Sequence, residues 1–212
     1  MTPKTISRLS KYRRVLLELA TAGPPHVFSH DLAARSAVTA AQVRRDLMTI
    51  GFSGSPARGY RIDALLETIG QVLDHPEGLR VALVGVGNLG RAMLSYFLGR
   101  RPNLAIVAAF DVDPEKTGRV VHGCRCHDAS EIARVCREER VQVALLATPA
   151  AAAQAAVDAL VMGGVRGIVN FSPRALRAPL GVTIEDMDIT ATVEKVGYYA
   201  TRGAAPQEAS AA

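Results

Sequence analysis

Along the first part of the chain the apolar positions recur at helical spacing, and beyond residue 78 they gather into short unbroken runs. From Ser7 to Ala20, Leu9, Tyr12, Leu16, Leu19 and Ala20 fall on one helical face. The stretch "AGPPH" (22–26) then stops the pattern, because proline cannot continue a helix. "SHDLAARSA" predicts a short second helix with Ser29 as its N-cap. "TAAQ" (Thr39–Gln42) has the spacing of a capping box, a hydroxyl and an amide closing the first turn of a third helix reciprocally. In that helix Val43, Leu47 and Ile50 share an inward face, Arg44, Arg45 and Met48 point elsewhere, and Gly51 marks the end. "GFSGSPARGYRI" predicts a β-hairpin with Arg58 near its tip, and "DALLETIGQVLDHPEG" a connecting helix that stops at Pro76 and Gly78.

The unbroken runs "LRVALVG", "LAIVAAFDVD", "VQVALLAT" and "VRGIVNF" have strand length and are apolar at consecutive positions, as strands buried on both faces require. They alternate with helical stretches, "RAMLSYFL", "EIARVCREER" and "AAAAQAAVDALVMGG". Strand and helix in alternation predict a parallel α/β sheet covered on both sides. The first run leads into Gly85, Gly87 and Gly90, the spacing of a dinucleotide-binding loop. Gly85 suits the turn, Gly87 a close approach to a pyrophosphate and Gly90 tight helix–strand packing, with Asn88 and Leu89 opening the helix. Asp111 ends the second strand about twenty residues further on, where a carboxylate accepts from the ribose hydroxyls and repels a 2′-phosphate. That favours NAD(H) over NADP(H). Loops at Thr148-Pro149 and Asn170-Phe171-Ser172-Pro173 leave the carboxyl ends of later strands, where ligands bind in open sheets.

Charge sharpens the division. Residues 1–62 hold ten Lys or Arg against three Asp or Glu, a balance of +7, and the remainder fifteen against seventeen, a balance of −2. A basic first part points to a polyanion as its partner. A helix-turn-helix with a wing fits that charge, with Gln42, Arg44, Arg45 and Arg58 as candidate DNA contacts, since the arginine fork bonds bidentately to guanine or phosphate. A small helical bundle with a solvated arginine face has the same pattern. No run of about 18 apolar residues predicts a membrane span. No apolar signal segment follows the N-terminus, and three cysteines are too few for a disulfide framework, so the expected compartment is the cytoplasm.

"HGCRCH" places His122, Cys124, Cys126 and His127 close together, a ligand set of the kind zinc takes. The same letters fit a short strand with Cys124 and Cys126 on one core-facing side. The reading adopted is no metal. Hydride chemistry needs a substrate site and a proton donor, and no Tyr-x-x-x-Lys pair or separate catalytic domain is evident, so the chain is expected not to be an enzyme. Two rivals share the glycine loop: a small NAD-dependent oxidoreductase with a basic accessory domain, and a regulator responding to CoA or another nucleotide.

The segments "ISRLSKYRR", "VTAAQVRRDL", "LVGVGNLGRAM", "AAFDVDPEKTGR", "ALLATPAAAAQ", "GIVNFSPRAL" and "DMDITATVEKVGYY" together resemble the Rex family of redox-sensing transcriptional repressors over Ile6 to Tyr199. The resemblance implies a winged helix-turn-helix domain (1–78), a Rossmann-like NAD(H) domain (79–186) and a C-terminal helix (187–202) swapped onto the partner of a homodimer. A disordered tail (203–212) follows from composition. It implies repression through inverted-repeat, double-stranded operator DNA, with release when NADH binds and weak competition by NAD⁺. Arg44 and Arg45 then match the basic pair of the recognition helix, and Arg14, Tyr96 and Asp188 a polar switch between domains and subunits. Ile189 follows Asp188, where the family often has a bulkier residue near the nicotinamide. Pro56 and Ala57 replace family wing-tip residues, and "MTIGF" replaces a more aromatic segment. These departures bear on operator sequence and on NADH/NAD⁺ discrimination.

Overall fold

Thr2 opens the first helix: its hydroxyl accepts from the Thr5 N–H at 3.2 Å, and Pro3 sits where a missing N–H has no consequence. The computed structural model describes residues 1–55, 58–99 and 103–202, and contacts divide the chain into two units between His75 and Pro76. In the first unit α1 (Pro3–Ala22) runs further at both ends than its apolar stripe. It packs with α2 (Ser29–Ser36), α3 (Ala40–Thr49) and α4 (Ile62–Leu73) around fully buried Leu9, Tyr12, Leu16, Leu32, Leu47 and Leu65. Each such leucine contributes about 1.5–3 kcal/mol relative to exposure.

Three local expectations change. Ser29 is not the N-cap of α2; Phe28 holds that place without a side-chain bond, and the Ser29 hydroxyl accepts from Arg44 Nη1 at 3.1 Å instead. The capping box of α3 is half made. Thr39 Oγ1 accepts from the Gln42 N–H at 3.1 Å, but the Gln42 amide turns away and donates to Asp46 Oδ1 at 2.8 Å. A buried carboxylate within reach is a stronger acceptor than a helix-end amide is a partner. The hairpin also pairs differently: β2 (Tyr60–Arg61) runs antiparallel to β1 (His26–Val27), while the expected wing shows one bridge among the described residues, Ser55 to Gly59. Pro56 and Ala57, and the tail 203–212, lie outside the described residues.

The second unit is a seven-stranded sheet. Its strands are β3 (Leu79–Val84), β4 (Leu104–Asp111), β5 (Val120–Val121), β6 (Cys124–Asp128), β7 (Val143–Leu146), β8 (Gly167–Asn170) and β9 (Thr183–Asp186), in the order β5-β6-β4-β3-β7-β8-β9. All pairings are parallel except β5 with β6. The six parallel strands, taken in chain order, lie 3-2-1-4-5-6, which is the doubly wound dinucleotide-binding order. Side chains alternate across β3. Val81 and Leu83 join Met93 and Leu94 of α5 (Asn88–Phe97) on one face, and Ala82 and Val84 join α6 (Ile132–Glu138) and α7 (Ala150–Met162) on the other. That double burial is why the strand reads as an unbroken apolar run.

The order of strands reverses between β3 and β7, so the crevice beyond their carboxyl ends is the place for a ligand. The last helix, α8 (Ile189–Arg202), buries no residue; Ile189, Val193 and Val196 stay 63%, 64% and 59% exposed. Among the described residues no helix is long and apolar enough to cross a membrane.

Candidate nucleotide site and nucleic-acid interface

The three loop glycines divide by cause. Gly85 has φ +96°, and a Cβ there would lie 2.4 Å from the Ala147 carbonyl oxygen. A Cβ at Gly90 would lie 2.0 Å from the Gly85 carbonyl oxygen. Folding alone therefore excludes side chains at both. A Cβ at Gly87 would meet nothing within 4 Å, and its φ of −78° suits any residue. Gly87 is also the N-cap of α5, whose first turn receives no side-chain cap. The free N–H groups of Asn88, Leu89 and Gly90 and an open approach over Gly87 form a cradle of the kind that takes a pyrophosphate.

Asp111 closes one side of the loop. Its Oδ2 accepts from the Val86 N–H at 2.8 Å and from Lys116 Nζ at 3.2 Å, and its Oδ1 from the Asp113 N–H at 3.0 Å. Burial alone would raise this carboxyl, but the N–H donors of Asp113 and Val86, with Lys116, outweigh it and hold it below the usual carboxylate range. The acid is ionised at neutral pH and already hydrogen-bonded within the loop. Lys116 was not expected from the sequence; an acid five residues before a lysine in a turn is a weak signal.

At the carboxyl ends of β7 and β8, two hydroxyls lack partners among the described residues: Thr148 Oγ1 and Ser172 Oγ, both buried. Such orphans suit a ligand with polar groups of its own. Asn170 is differently employed. Its amide donates to the Arg174 carbonyl at 3.0 Å and to Asp186 Oδ1 at 2.7 Å, and its oxygen accepts from the Ser172 N–H at 2.9 Å. It shapes the loop that carries Phe171, Ser172 and Pro173. Phe171, Pro173, Met187 and Ile189 line a cavity of about 380 Å³ beside that loop. Thr148-Pro149 lies at the N-terminus of α7, with Pro149 as its cap. The residues present thus fit a dinucleotide.

The first unit presents α3. Arg44 and Arg45 are exposed, and Gln42 is half-buried beneath them. Arg58 is exposed beside the Ser55–Gly59 bridge. The helix is anchored by Asp46, which sequence spacing had not placed in the interior. Its carboxylate is 3% exposed and accepts from Arg8 Nε at 2.6 Å, Arg8 Nη2 at 2.7 Å and the Tyr12 hydroxyl at 2.8 Å. Burial would raise this carboxyl too, but Arg8, Tyr12 and Gln42 together hold it below its ordinary value. The adjacent letters "RRD" are the only signal, and they read first as surface charge.

Of the proposed switch residues, Arg14 is exposed on α1, and Tyr96 on α5 is 55% exposed and edge-on to Phe97. Asp188 caps α8, its Oδ1 accepting from the Ala191 N–H at 2.9 Å. Cys124 and Cys126 lie on one buried side of β6, as free thiols. Burial pushes the Cys124 thiol up to about 11, so it stays protonated. Among the described residues no group of three or more His, Cys, Asp or Glu gathers to hold a metal ion.

A basic helix-turn-helix unit on the same chain as a dinucleotide fold defines a class, the transcription regulators that answer to a nucleotide. The chain is 36% identical to the redox-sensing transcriptional repressor Rex of Lactobacillus gasseri and to that of Listeria welshimeri, over 92% of its own length and 91% of theirs. It belongs to the Rex family of redox-sensing transcriptional repressors. Family models described as a putative DNA-binding protein N-terminus and a CoA binding domain match residues 2–47 and 77–174. Among solved structures, the Rex-family repressor RSP in complex with β-NAD⁺ and operator DNA is similar at TM-score 0.87 and 26% identity, covering 96% of this chain and 94% of that one. RSP in complex with β-NADH is similar at TM-score 0.84, covering 96% and 95%.

Proposed function

We propose that this protein is a repressor that holds operator DNA while NADH is scarce and leaves it when NADH binds. The carrying observation is the loop at Gly87, left open by a fold that does not need a glycine there, on a chain that also presents an arginine-bearing recognition helix. Similar structures hold the oxidised nucleotide with operator DNA and the reduced nucleotide. It acts in the cytoplasm as a regulator, not as an oxidoreductase.

In this reading Gly85, Gly87, Asn88, Leu89 and Gly90 take the pyrophosphate and Asp111 the ribose. Thr148, Pro149, Asn170, Phe171, Ser172, Pro173 and Ile189 surround the nicotinamide end. When bound, the nicotinamide supplies a ring that is charged when oxidised and neutral when reduced. Apolar Phe171, Pro173 and Ile189 disfavour the cationic form by withholding solvation, against the pull of Asp186 and Asp188, which line the same cavity and favour it. Arg44, Arg45 and Arg58 meet DNA, and Gln42 does so through its free carbonyl. Two such units must match two half-sites about one helical turn apart, so the active species is a homodimer on an inverted repeat. The exposed stripe of α8 is its swapped contact, and Arg14, Tyr96 and Asp188 couple nucleotide to DNA. A coupling of about 1–3 kcal/mol changes operator affinity roughly 5–150-fold.

The test is fluorescence anisotropy with labelled genomic fragments at fixed salt, since phosphate contacts make affinity salt-dependent. Binding relieved by NADH but not by NAD⁺ is expected. Because the second unit matches a CoA binding domain, CoA is included as a competitor. Relief by CoA and not by NADH would replace the ligand. DNA-independent turnover of NADH with a substrate would replace the function.

A further inference from the structure

The outward side chains of α3 are not equally available. Arg44 is tied to Ser29 Oγ at 3.1 Å, and the Thr49 hydroxyl turns back onto the Arg45 carbonyl at 2.9 Å. The Gln42 amide is held by Asp46. The guanidinium of Arg45 makes no hydrogen bond or ion pair among the described residues. Ala41 precedes it by four residues and Met48 follows it by three, so the three lie along one strip of the helix. All are exposed, and Met48 is 72% exposed. The free strip of the recognition helix is therefore one cation flanked by apolar groups.

A lone exposed methionine is ordinary on a protein surface. This one stands beside a cation assigned above to DNA contact, whose fork can bond guanine or phosphate. In the major groove the apolar feature on offer is the thymine 5-methyl, and guanine's O6 and N7 are the acceptors for an arginine fork. Three residues advance a helix about 4.5 Å, and a base step is about 3.4 Å. On a helix that runs along the groove, side chains at 45 and 48 are therefore spaced for neighbouring base pairs. A flexible thioether fills an irregular contact well.

We propose that Met48 reads a thymine methyl group next to the base pair that Arg45 recognises, and so sets part of the operator sequence. The proposal rests on the repressor reading, and its test separates the two. An operator is first selected from genomic fragments with the wild-type protein. Each thymine is then replaced in turn by 2′-deoxyuridine, which removes the methyl alone. For wild type, substitution at one symmetric pair of positions weakens binding roughly 4-fold per half-site, from about 0.8 kcal/mol per buried methyl. Met48→Ala shows the weakening on the intact operator and is indifferent to deoxyuridine at that pair, whereas Met48→Leu retains the sensitivity. The salt slope is the same for Met48→Ala as for wild type, because no phosphate contact is lost. If Met48→Ala responds to every thymine replacement as wild type does, Met48 does not read a methyl group. If the wild type selects no fragment at all, the repressor reading itself falls.

Discussion

An alanine at position 87 would carry its methyl into open space, whereas one at 85 or 90 would drive it into backbone. Gly87→Ala should therefore melt within about 0.5 kcal/mol of wild type, as a surface change does, and lose NADH binding by calorimetry. Gly85→Ala and Gly90→Ala should lower the melting temperature of the nucleotide unit itself. Normal NADH affinity in a folded Gly87→Ala protein would remove the cradle from the site. Asp46 makes a different prediction. Asp46→Asn leaves Arg8 without its ion partner in a part-buried setting and should cost about 2–4 kcal/mol. The Asp46 carboxyl lies below its ordinary value in the folded protein, so its contribution is present above the unfolded value of about 3.9 and is lost as pH falls through the lower folded value. Melting curves from pH 7 to pH 3 should show wild type and Asp46→Asn converging in acid. A gap independent of pH would mean that the bonds of Asp46 are not ionic.

Elements whose burial is periodic are legible in the sequence itself. The stripe of α1 and the double-faced runs of β3, β4, β7 and β8 follow from one rule each, apolar spacing of a helix or of a two-sided strand. What escaped has no such signature. β9 spells "TIED" and buries little; backbone bonding to β8, from Gly167–Thr183 to Asn170–Asp186, makes it a strand. β1 is two residues long and exists through its partner β2. Asp46 was hidden because a carboxylate in a helix reads as surface unless its partners, 34 and 38 residues away, are known. The orphaned hydroxyls of Thr148 and Ser172 could be suspected from their loops, but their lack of partners is a fact of packing. For α8 the sequence shows a stripe and the structure leaves it uncovered. If the proposed homodimer forms through this stripe, Val193→Glu with Val196→Glu should convert it to monomer in sedimentation equilibrium and abolish operator binding. A dimer that survives both changes would place the subunit contact elsewhere.

At the scale of the whole molecule the question is how a nucleotide in one unit governs DNA held by another. Only a ligand that binds two conformations of the repressor unequally can do so. Asp188 is the residue on which that coupling can be tested, but it also caps α8. Alanine there would weaken the helix by about 1 kcal/mol as well as removing the charge. Asp188→Ser keeps a capping oxygen and loses the carboxylate. It should bind NADH and operator with near wild-type affinity, while NADH no longer releases the DNA. Normal release by NADH in this variant would take Asp188 out of the switch.

The unequal demands on the loop glycines also bear on descent. A lineage that abandoned nucleotide sensing and kept the repressor would stay under pressure to fold, so positions 85 and 90 would remain glycine. Position 87 would be released and would drift to alanine, serine or larger residues. One letter in an otherwise intact fingerprint would then distinguish a responsive regulator from a constitutive one.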